Sequence, residues 1–162
     1  QQIIAVLHSG AFQAMALLAP AADLQIKKEI AWAFSNAFAH DDPDVTPALL
    51  EQGVVPVLCD MMRTQDAQLQ LVLLDCVEHI LSFGHKTAAG GENRCLPLLE
   101  RAGAAELLEA LQQSPSHEVY VKAHKIVVRF FSDVEIMDAA EPDVADDGTF
   151  VFQSQQDERF TF

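Results

Sequence analysis

The sequence predicts an all-α protein in which similar groups of helices stack side by side into a solenoid. Three glycines each open an apolar stretch with helical periodicity, and the stretches after them repeat the same order of residue types. No segment shows the alternation of apolar and polar residues that is typical of strands. The composition agrees with about one globular domain, since 50% of the residues are hydrophobic and 21% are charged.

The glycines define the length of the repeat. Gly10, Gly53 and Gly103 lie 43 and 50 residues apart, and these spacings bracket the length of HEAT and armadillo repeats. A Gly/Ala-rich loop, predicted for residues 85–93, explains the longer second spacing. Apolar residues recur five and eight positions after each glycine: Met15, Leu58, Leu108, Leu18, Met61 and Leu111. The predicted units are approximately residues 1–40, 41–84 and 92–132.

Each unit contains a short helix before the glycine, a medium helix after it, and a long third helix. The residues thirteen positions after the glycines are of types that cap helix N-termini: Asp23, Asp66 and Ser116. Apolar residues at i, i+4 and i+8 follow each cap: Ile26, Ile30 and Phe34; Leu69, Leu73 and Val77; Val119, Ala123 and Val127. Because neighbouring units bury such stripes, we expect Ile3, Ile4 and Leu7 before the first glycine to be left uncovered.

The charge of the chain excludes some classes of partner. The net charge is -14, and residues 133–162 hold nine acidic residues against one basic residue, Arg159. This balance repels phosphate backbones and favours basic ligands, so we expect no nucleic-acid binding. No run of 18 apolar residues is present, so we expect no membrane span.

The cysteines and histidines do not form a recognisable catalytic or metal-binding pattern. The chain has three cysteines, Cys59, Cys76 and Cys95, and no two of them form a CxxC pair. An odd number without such a pair favours reduced, buried thiols in the cytoplasm or nucleus. Cys76 and His79 share a helix at i and i+3, but Cys76 matches an apolar position of the repeat, and a zinc site needs about four convergent ligands. We expect no enzyme activity, no metal and no cofactor.

One helical face has the chemistry needed to hold an extended basic peptide. Glu29, Trp32 and Asn36 are spaced so that they share a face of the first long helix. The Asn amide can pair with a peptide N–H and C=O, and the indole can pack against the stem of Lys or Arg. The alternative is that Trp32 belongs to the core and Asn36 is a solvated helix residue.

Four segments resemble the C-terminal part of importin-α (karyopherin-α). KKEIAWAFSN is similar to the family signature KEAxWAxSN, and GVVPVLCDMM resembles the helix that opens the next repeat. HEVYVKAHKIVVRFF is similar to the last helix of the family, and DDGTFVFQSQQDERFTF resembles its acidic, Phe-containing terminal segment. The resemblance spans essentially the whole chain. It implies a right-handed armadillo superhelix of about three C-terminal repeats in residues 1–132, followed by an extended tail in 133–162.

The resemblance also implies a function and the residues that carry it. Members of this family are adaptors that carry basic nuclear-localisation-signal (NLS) cargo and shuttle between cytoplasm and nucleus. Trp32 and Asn36 correspond to the Trp and Asn of the last repeat that bears the signature, at the minor NLS site. Lys28, Glu29 and Ser35 lie in the same run and would flank that site.

The sequence departs from the family pattern after this helix. Asp75 and His79 stand where the next repeat would supply Trp and Asn, so the row of recognition residues ends. AFAH follows Asn36 where relatives usually have a Gly-containing turn. The family's importin-β-binding segment and major-site repeats have no counterpart in these residues, so the resemblance assigns no importin-β binding to them.

The resemblance implies further partners for the last repeat and the tail, namely the recycling exportin with RanGTP and a nuclear-basket nucleoporin. The apolar residues of the acidic tail are Phe150, Phe152, Phe160 and Phe162. They would contact such partners, or alternatively fold back onto a surface groove. A different function also stays open, in which the chain is an armadillo scaffold for other peptides in signalling or junctional complexes. Scaffolds of that kind use rows of Lys and Arg for acidic ligands, and the long helices here show no matching row across the units.

Overall fold

The computed structural model describes residues 2–40, 43–88 and 90–131, and these residues belong to one compact unit. They contain helices and connecting turns, and no strand occurs in these ranges. The all-α prediction is therefore confirmed. No helix in the described ranges combines the length and apolar character needed to cross a membrane.

The helices follow the order short, medium, long three times. Their bounds are α1 Gln2–His8, α2 Ala11–Leu18, α3 Leu24–Phe38, α4 Val45–Glu51, α5 Val54–Met62, α6 Ala67–Thr87, α7 Leu96–Arg101, α8 Ala104–Leu111 and α9 His117–Phe130. A 3-10 turn at Ala19–Ala21 connects α2 to the residues before α3. The last and longest helix of each group is therefore α3, α6 or α9.

Helices of the same rank pack against each other. The long helices form one row in which α6 lies between α3 and α9, and the medium helices form a second row in which α5 lies between α2 and α8. The short helix α1 packs against α4. Stacking of like helices buries a continuous apolar core through the described unit, with Phe34, Leu73 and Ala123 fully buried on the three long helices.

The predicted glycines and caps determine where the helices begin. Gly10, Gly53 and Gly103 have φ of 75°, 74° and 78° and directly precede α2, α5 and α8. This left-handed conformation suits glycine because it has no Cβ. The predicted capping side chains each accept a hydrogen bond from the backbone N–H three residues on: Asp23 from Ile26 at 2.9 Å, Asp66 from Leu69 at 2.8 Å and Ser116 from Val119 at 3.5 Å.

Several local predictions were wrong. Ile26 is 41% exposed, because it lies in the first turn of α3 at the open edge of the stack, whereas Ile30 and Phe34 are buried. Leu7 is only 4% exposed, because α1 packs on α4 and Leu7 joins the apolar core.

Two helix ends also differ from the sequence pattern. Residues 85–87, assigned to the loop, continue α6 as far as Thr87, whose hydroxyl donates a hydrogen bond back to the Phe83 carbonyl at 2.8 Å. Helix α3 ends at Phe38, and the residue directly after it is not left-handed. Ala39 keeps right-handed helical geometry and donates its N–H to the Ser35 carbonyl at 3.0 Å.

Candidate functional site

The exposed face of α3 carries three of the predicted site residues. Trp32 is 56% exposed, and Glu29 and Asn36 are exposed beside it. The opposite face of the same helix is buried through Ile30 and Phe34, so packing of the core fixes which way Trp32 points. Trp32 is therefore a surface residue, and the alternative that placed it in the core is wrong.

The polar groups of this face are largely available to a ligand. Gln25 donates a hydrogen bond from Nε2 to Oε1 of Glu29 at 3.1 Å, which positions the carboxylate and leaves its second oxygen free of such a bond. The Asn36 side chain makes no hydrogen bond to the described residues. An exposed indole, a free amide and a held carboxylate are thus spaced along about two turns of α3.

Lys28 belongs to the same run but points towards α6. Its Nζ lies 2.9 Å from Oδ2 of Asp66, the capping residue of α6, and 3.5 Å from Oε1 of Gln68. The Leu69 backbone N–H and the Lys28 ammonium together hold the pKa of the Asp66 carboxyl below its ordinary value. Lys28 therefore joins two neighbouring helices and is already paired.

Ser35 is also directed between the helices. It is half-buried and its hydroxyl interacts with the thiol of Cys76 on α6. The five predicted residues accordingly form two groups: Glu29, Trp32 and Asn36 face outward from α3, whereas Lys28 and Ser35 face the α3–α6 boundary.

A cleft between α3 and α6 adjoins Trp32, and the sequence pattern did not predict it. Its volume is about 300 Å³. It is lined by Lys28, Ala31, Trp32, Gln68, Leu69, Leu71 and Val72. One feature of the sequence could have indicated it. Glu29 and Val72 each lie nineteen residues after the glycine of their unit, so an apolar residue of α6 takes the position that a carboxylate holds on α3.

Farther along the row of long helices, the carboxylates of α6 are paired with cations of α9. Lys122 forms an ion pair with Asp75, and its Nζ also lies 3.7 Å from Oε2 of Glu78. Lys125 and Arg129 approach Oε1 of Glu78 at 3.9 and 3.8 Å. The α6 position that matches Trp32 is thus an ion-paired aspartate, and the basic residues of α9 are engaged within the chain.

Cys59, Cys76 and Cys95 are free, buried cysteines. No group of three or more His, Cys, Asp and Glu side chains in the described ranges has the geometry to hold a metal ion. Burial raises the pKa of the Cys76 thiol to about 12 and that of Cys59 to about 11. Both thiols therefore stay protonated near neutral pH and pack as small apolar groups, as expected for Cys76 from its place in the repeat.

The four tail residues Phe150, Phe152, Phe160 and Phe162 lie outside the described residues.

Comparison with known proteins gives the family. The model of the armadillo/β-catenin-like repeat matches residues 42–82, and the model of an atypical Arm repeat matches residues 93–143. The chain is 33% identical to importin subunit alpha of Saccharomyces cerevisiae over 126 residues, which cover 74% of the chain and 23% of that protein. It is 36% identical to importin subunit alpha-5 of Arabidopsis thaliana over 111 residues, which cover 68% of the chain and 21% of that protein. The chain is an armadillo-repeat relative of importin α.

This armadillo chain spans between a fifth and a quarter of the length of these two relatives. Among solved structures, it is similar to a designed armadillo repeat protein in complex with the peptide (KR)4, with a TM-score of 0.66 and 25% identity over 80% of the chain and 50% of the designed protein. A second designed armadillo repeat protein gives a TM-score of 0.61 at 25% identity over 76% of the chain and 48% of that protein. The predicted armadillo solenoid is therefore confirmed.

Proposed function

We propose that this chain is the C-terminal part of a nuclear import adaptor and that the exposed face of α3 binds basic NLS peptides at the minor-site end. The observation that carries the proposal is Trp32, 56% exposed next to Glu29 and Asn36 on a helix whose opposite face is buried. The kinship with importin α supports this function, and the designed relative in complex with (KR)4 supports the class of ligand. An adaptor of this kind shuttles between cytoplasm and nucleus.

Each residue of the face has a separate role in the proposal. The Asn36 amide pairs with the backbone of an extended peptide, which gives affinity that does not depend on sequence. The indole of Trp32 packs against the methylene stem of Lys or Arg, with a cation–π attraction of about 0.5–2 kcal/mol. Glu29 attracts the cationic end and mainly raises the association rate and the preference for basic peptides.

Binding of a labelled basic peptide to the 162-residue chain, followed by fluorescence anisotropy, tests the proposal. Trp32→Ala should weaken binding about 2- to 30-fold, the range that the cation–π energy implies, and Asn36→Ala should weaken it as well. Tyr120→Ala and Gln113→Ala are matched controls, because they remove an exposed aromatic ring and an exposed amide outside the site. Unchanged affinity of the Trp32 and Asn36 variants, or tighter binding of an acidic peptide, would contradict the proposal.

The alternative of a scaffold for acidic peptides is less well supported by the charges. The basic residues of α9 that could hold such a ligand, Lys122, Lys125 and Arg129, are paired with Asp75 and Glu78 of α6. An acidic peptide would compete with these carboxylates most directly at Lys122, which meets both of them, whereas Lys125 and Arg129 approach Glu78 only at 3.9 and 3.8 Å and are largely exposed. A basic peptide on α3 meets a carboxylate that no cation of the described residues pairs with.

The proposal extends to the last repeat and the tail as the region that contacts the recycling exportin with RanGTP or a nuclear-basket nucleoporin. It is supported by the resemblance of residues 146–162 to the family's terminal segment and by the four phenylalanines in an acidic context. Replacing Phe150, Phe152, Phe160 and Phe162 by Ser in the full chain should weaken capture by exportin and RanGTP while leaving far-UV circular dichroism nearly unchanged. Equal capture by the wild type and the quadruple variant would remove these residues from the mechanism.

A further inference from the structure

The α3–α6 cleft shares the Trp32 side chain with the peptide-binding face. Helical spacing places Lys28 and Glu29 on the two sides of Trp32 on α3. The cleft lies on the Lys28 side, where Trp32 faces Val72 and Leu71 of α6. A basic side chain packed on Trp32 would therefore lie next to the cleft.

The lining of the cleft is mostly apolar. Ala31 and Trp32 contribute one wall, and Leu69, Leu71 and Val72 contribute the other. A volume of about 300 Å³ is at the small end of the range for ligand pockets, ~300–1,000 Å³, and suits one side chain better than a cofactor.

The cleft offers no uncompensated negative charge to a cationic occupant. Its charged lining residue, Lys28, is positive, and the Asp66 carboxylate is 2.9 Å from the Lys28 ammonium and is therefore already paired. A Lys or Arg side chain entering the cleft would lose hydration without gaining an unpaired carboxylate, which disfavours binding.

The repeat register explains why the charge pattern changes at this point. Nineteen residues after its glycine, the first unit has Glu29 and the second has Val72. The carboxylates of α6 farther along, Asp75 and Glu78, are held by cations of α9. At matching positions, α3 therefore presents the unpaired carboxylate of Glu29 and α6 presents the apolar side chain of Val72.

From these observations we infer that the cleft binds an uncharged aliphatic side chain of the same peptide that places a basic residue on Trp32 and Glu29. The preferred ligand is then a basic cluster with Leu, Ile, Val or Met one or two positions away, since an extended chain advances ~3.3 Å per residue. This inference rests on the proposed function and adds a preference at a single flanking position.

Peptides that differ only at the flanking position test the inference. We would use one basic core with Leu, Ala or Lys placed one or two positions before or after it, and measure anisotropy with the full chain. The Leu peptide should bind about 5- to 30-fold more tightly than the Ala peptide at one of these positions, because the cleft buries most of an aliphatic side chain. At that position the Lys peptide should bind no more tightly than the Ala peptide, although it carries one more positive charge.

Substitution of Val72 provides the reciprocal test. Val72→Glu restores the carboxylate found at the equivalent position of α3, so it should favour the Lys peptide and weaken the Leu peptide. Val72→Gln has a similar shape without the charge, and it should weaken the Leu peptide without favouring Lys. Trp32 is the only tryptophan of the chain, and its emission responds both to the basic residue and to the cleft occupant. Because the two peptides share the basic core, a larger shift with the Leu peptide than with the Ala peptide would report occupancy of the cleft.

The outcomes separate this inference from the proposed function. If basic peptides bind in a Trp32-dependent manner but Leu, Ala and Lys rank equally in the wild type and in Val72→Glu, the inference is wrong and the proposed function stands. If no basic peptide binds, both fail. A preference for Leu that Val72→Glu reverses towards Lys supports both.

Discussion

The Asp66 carboxylate performs two tasks at once, and substitutions can separate them. Oδ1 accepts a hydrogen bond from the Leu69 N–H at 2.8 Å and caps α6, and Oδ2 lies 2.9 Å from the Lys28 ammonium of α3. Loss of a capping side chain costs about 0.5–2 kcal/mol. Loss of a partly exposed ion pair costs about 0.2–1 kcal/mol. Asp66→Ala should therefore lower the free energy of unfolding by about 1–3 kcal/mol. Asp66→Asn keeps a good cap and should lower it by the smaller ion-pair amount alone.

Urea denaturation followed by far-UV circular dichroism measures these changes, and the pH dependence reports the combined effect of the Leu69 N–H and the Lys28 ammonium on the Asp66 charge. The pKa of Asp66 is lower in the folded chain than its ordinary value of 3.8, so the folded state binds its proton less readily than the unfolded state does. The stabilisation is complete above that ordinary pKa and is lost as the pH falls through the folded pKa. The difference in unfolding free energy between wild type and Asp66→Asn should thus be constant above about pH 5 and shrink below about pH 4.

A matched control is available in Asp23, which caps α3 in the same way, with Ile26 N–H at 2.9 Å, but pairs with no cation in the described ranges. Asp23→Asn should leave the free energy of unfolding nearly unchanged, whereas Asp66→Asn should lower it. In a double-mutant cycle, Lys28→Met should abolish most of the effect of Asp66→Asn. Equal losses for Asp66→Asn and Asp66→Ala, or an effect of Asp66→Asn that persists in the Lys28→Met background, would refute the division into cap and ion pair.

Two further predictions concern the core. Gly84→Ala should destabilise the chain by about 1–3 kcal/mol, although Ala is normally favoured over Gly inside a helix by about 1 kcal/mol. An added Cβ would overlap the Asn93 side chain, which anchors the loop after α6 by donating to the Leu81 carbonyl at 2.9 Å. The same variant combined with Asn93→Ala should recover part of the loss in urea denaturation, and a stabilised Gly84→Ala chain would contradict this account. Cys59 and Cys76 should react with a maleimide near pH 8 only as fast as the chain unfolds, because burial raises the pKa of these thiols to about 11 and about 12. Mass spectrometry of the labelled native chain checks this prediction, and rapid labelling at either position without unfolding would be incompatible with it.

Short-range features of the sequence account for most of the fold. The left-handed glycines, the capping residues Asp23 and Asp66, and the i, i+4 spacing of apolar residues each act within one or two helical turns, so they can be recognised without coordinates. The shared face of Glu29, Trp32 and Asn36 follows from helical geometry in the same way. That these side chains point outward was inferred from family resemblance and is explained by burial of the opposite face of α3.

Features that depend on neighbouring units needed the tertiary structure. Leu7 is covered by a helix some forty residues later in the chain, and Lys28 meets Asp66 across the boundary between two units. The cleft beside Trp32 is formed by residues of α3 and α6 together, with Val72 among those of α6. The physical reason is that a local pattern fixes which residues share a helix face, whereas the packing of one helix on another decides which of those faces meet and which side chains they leave open.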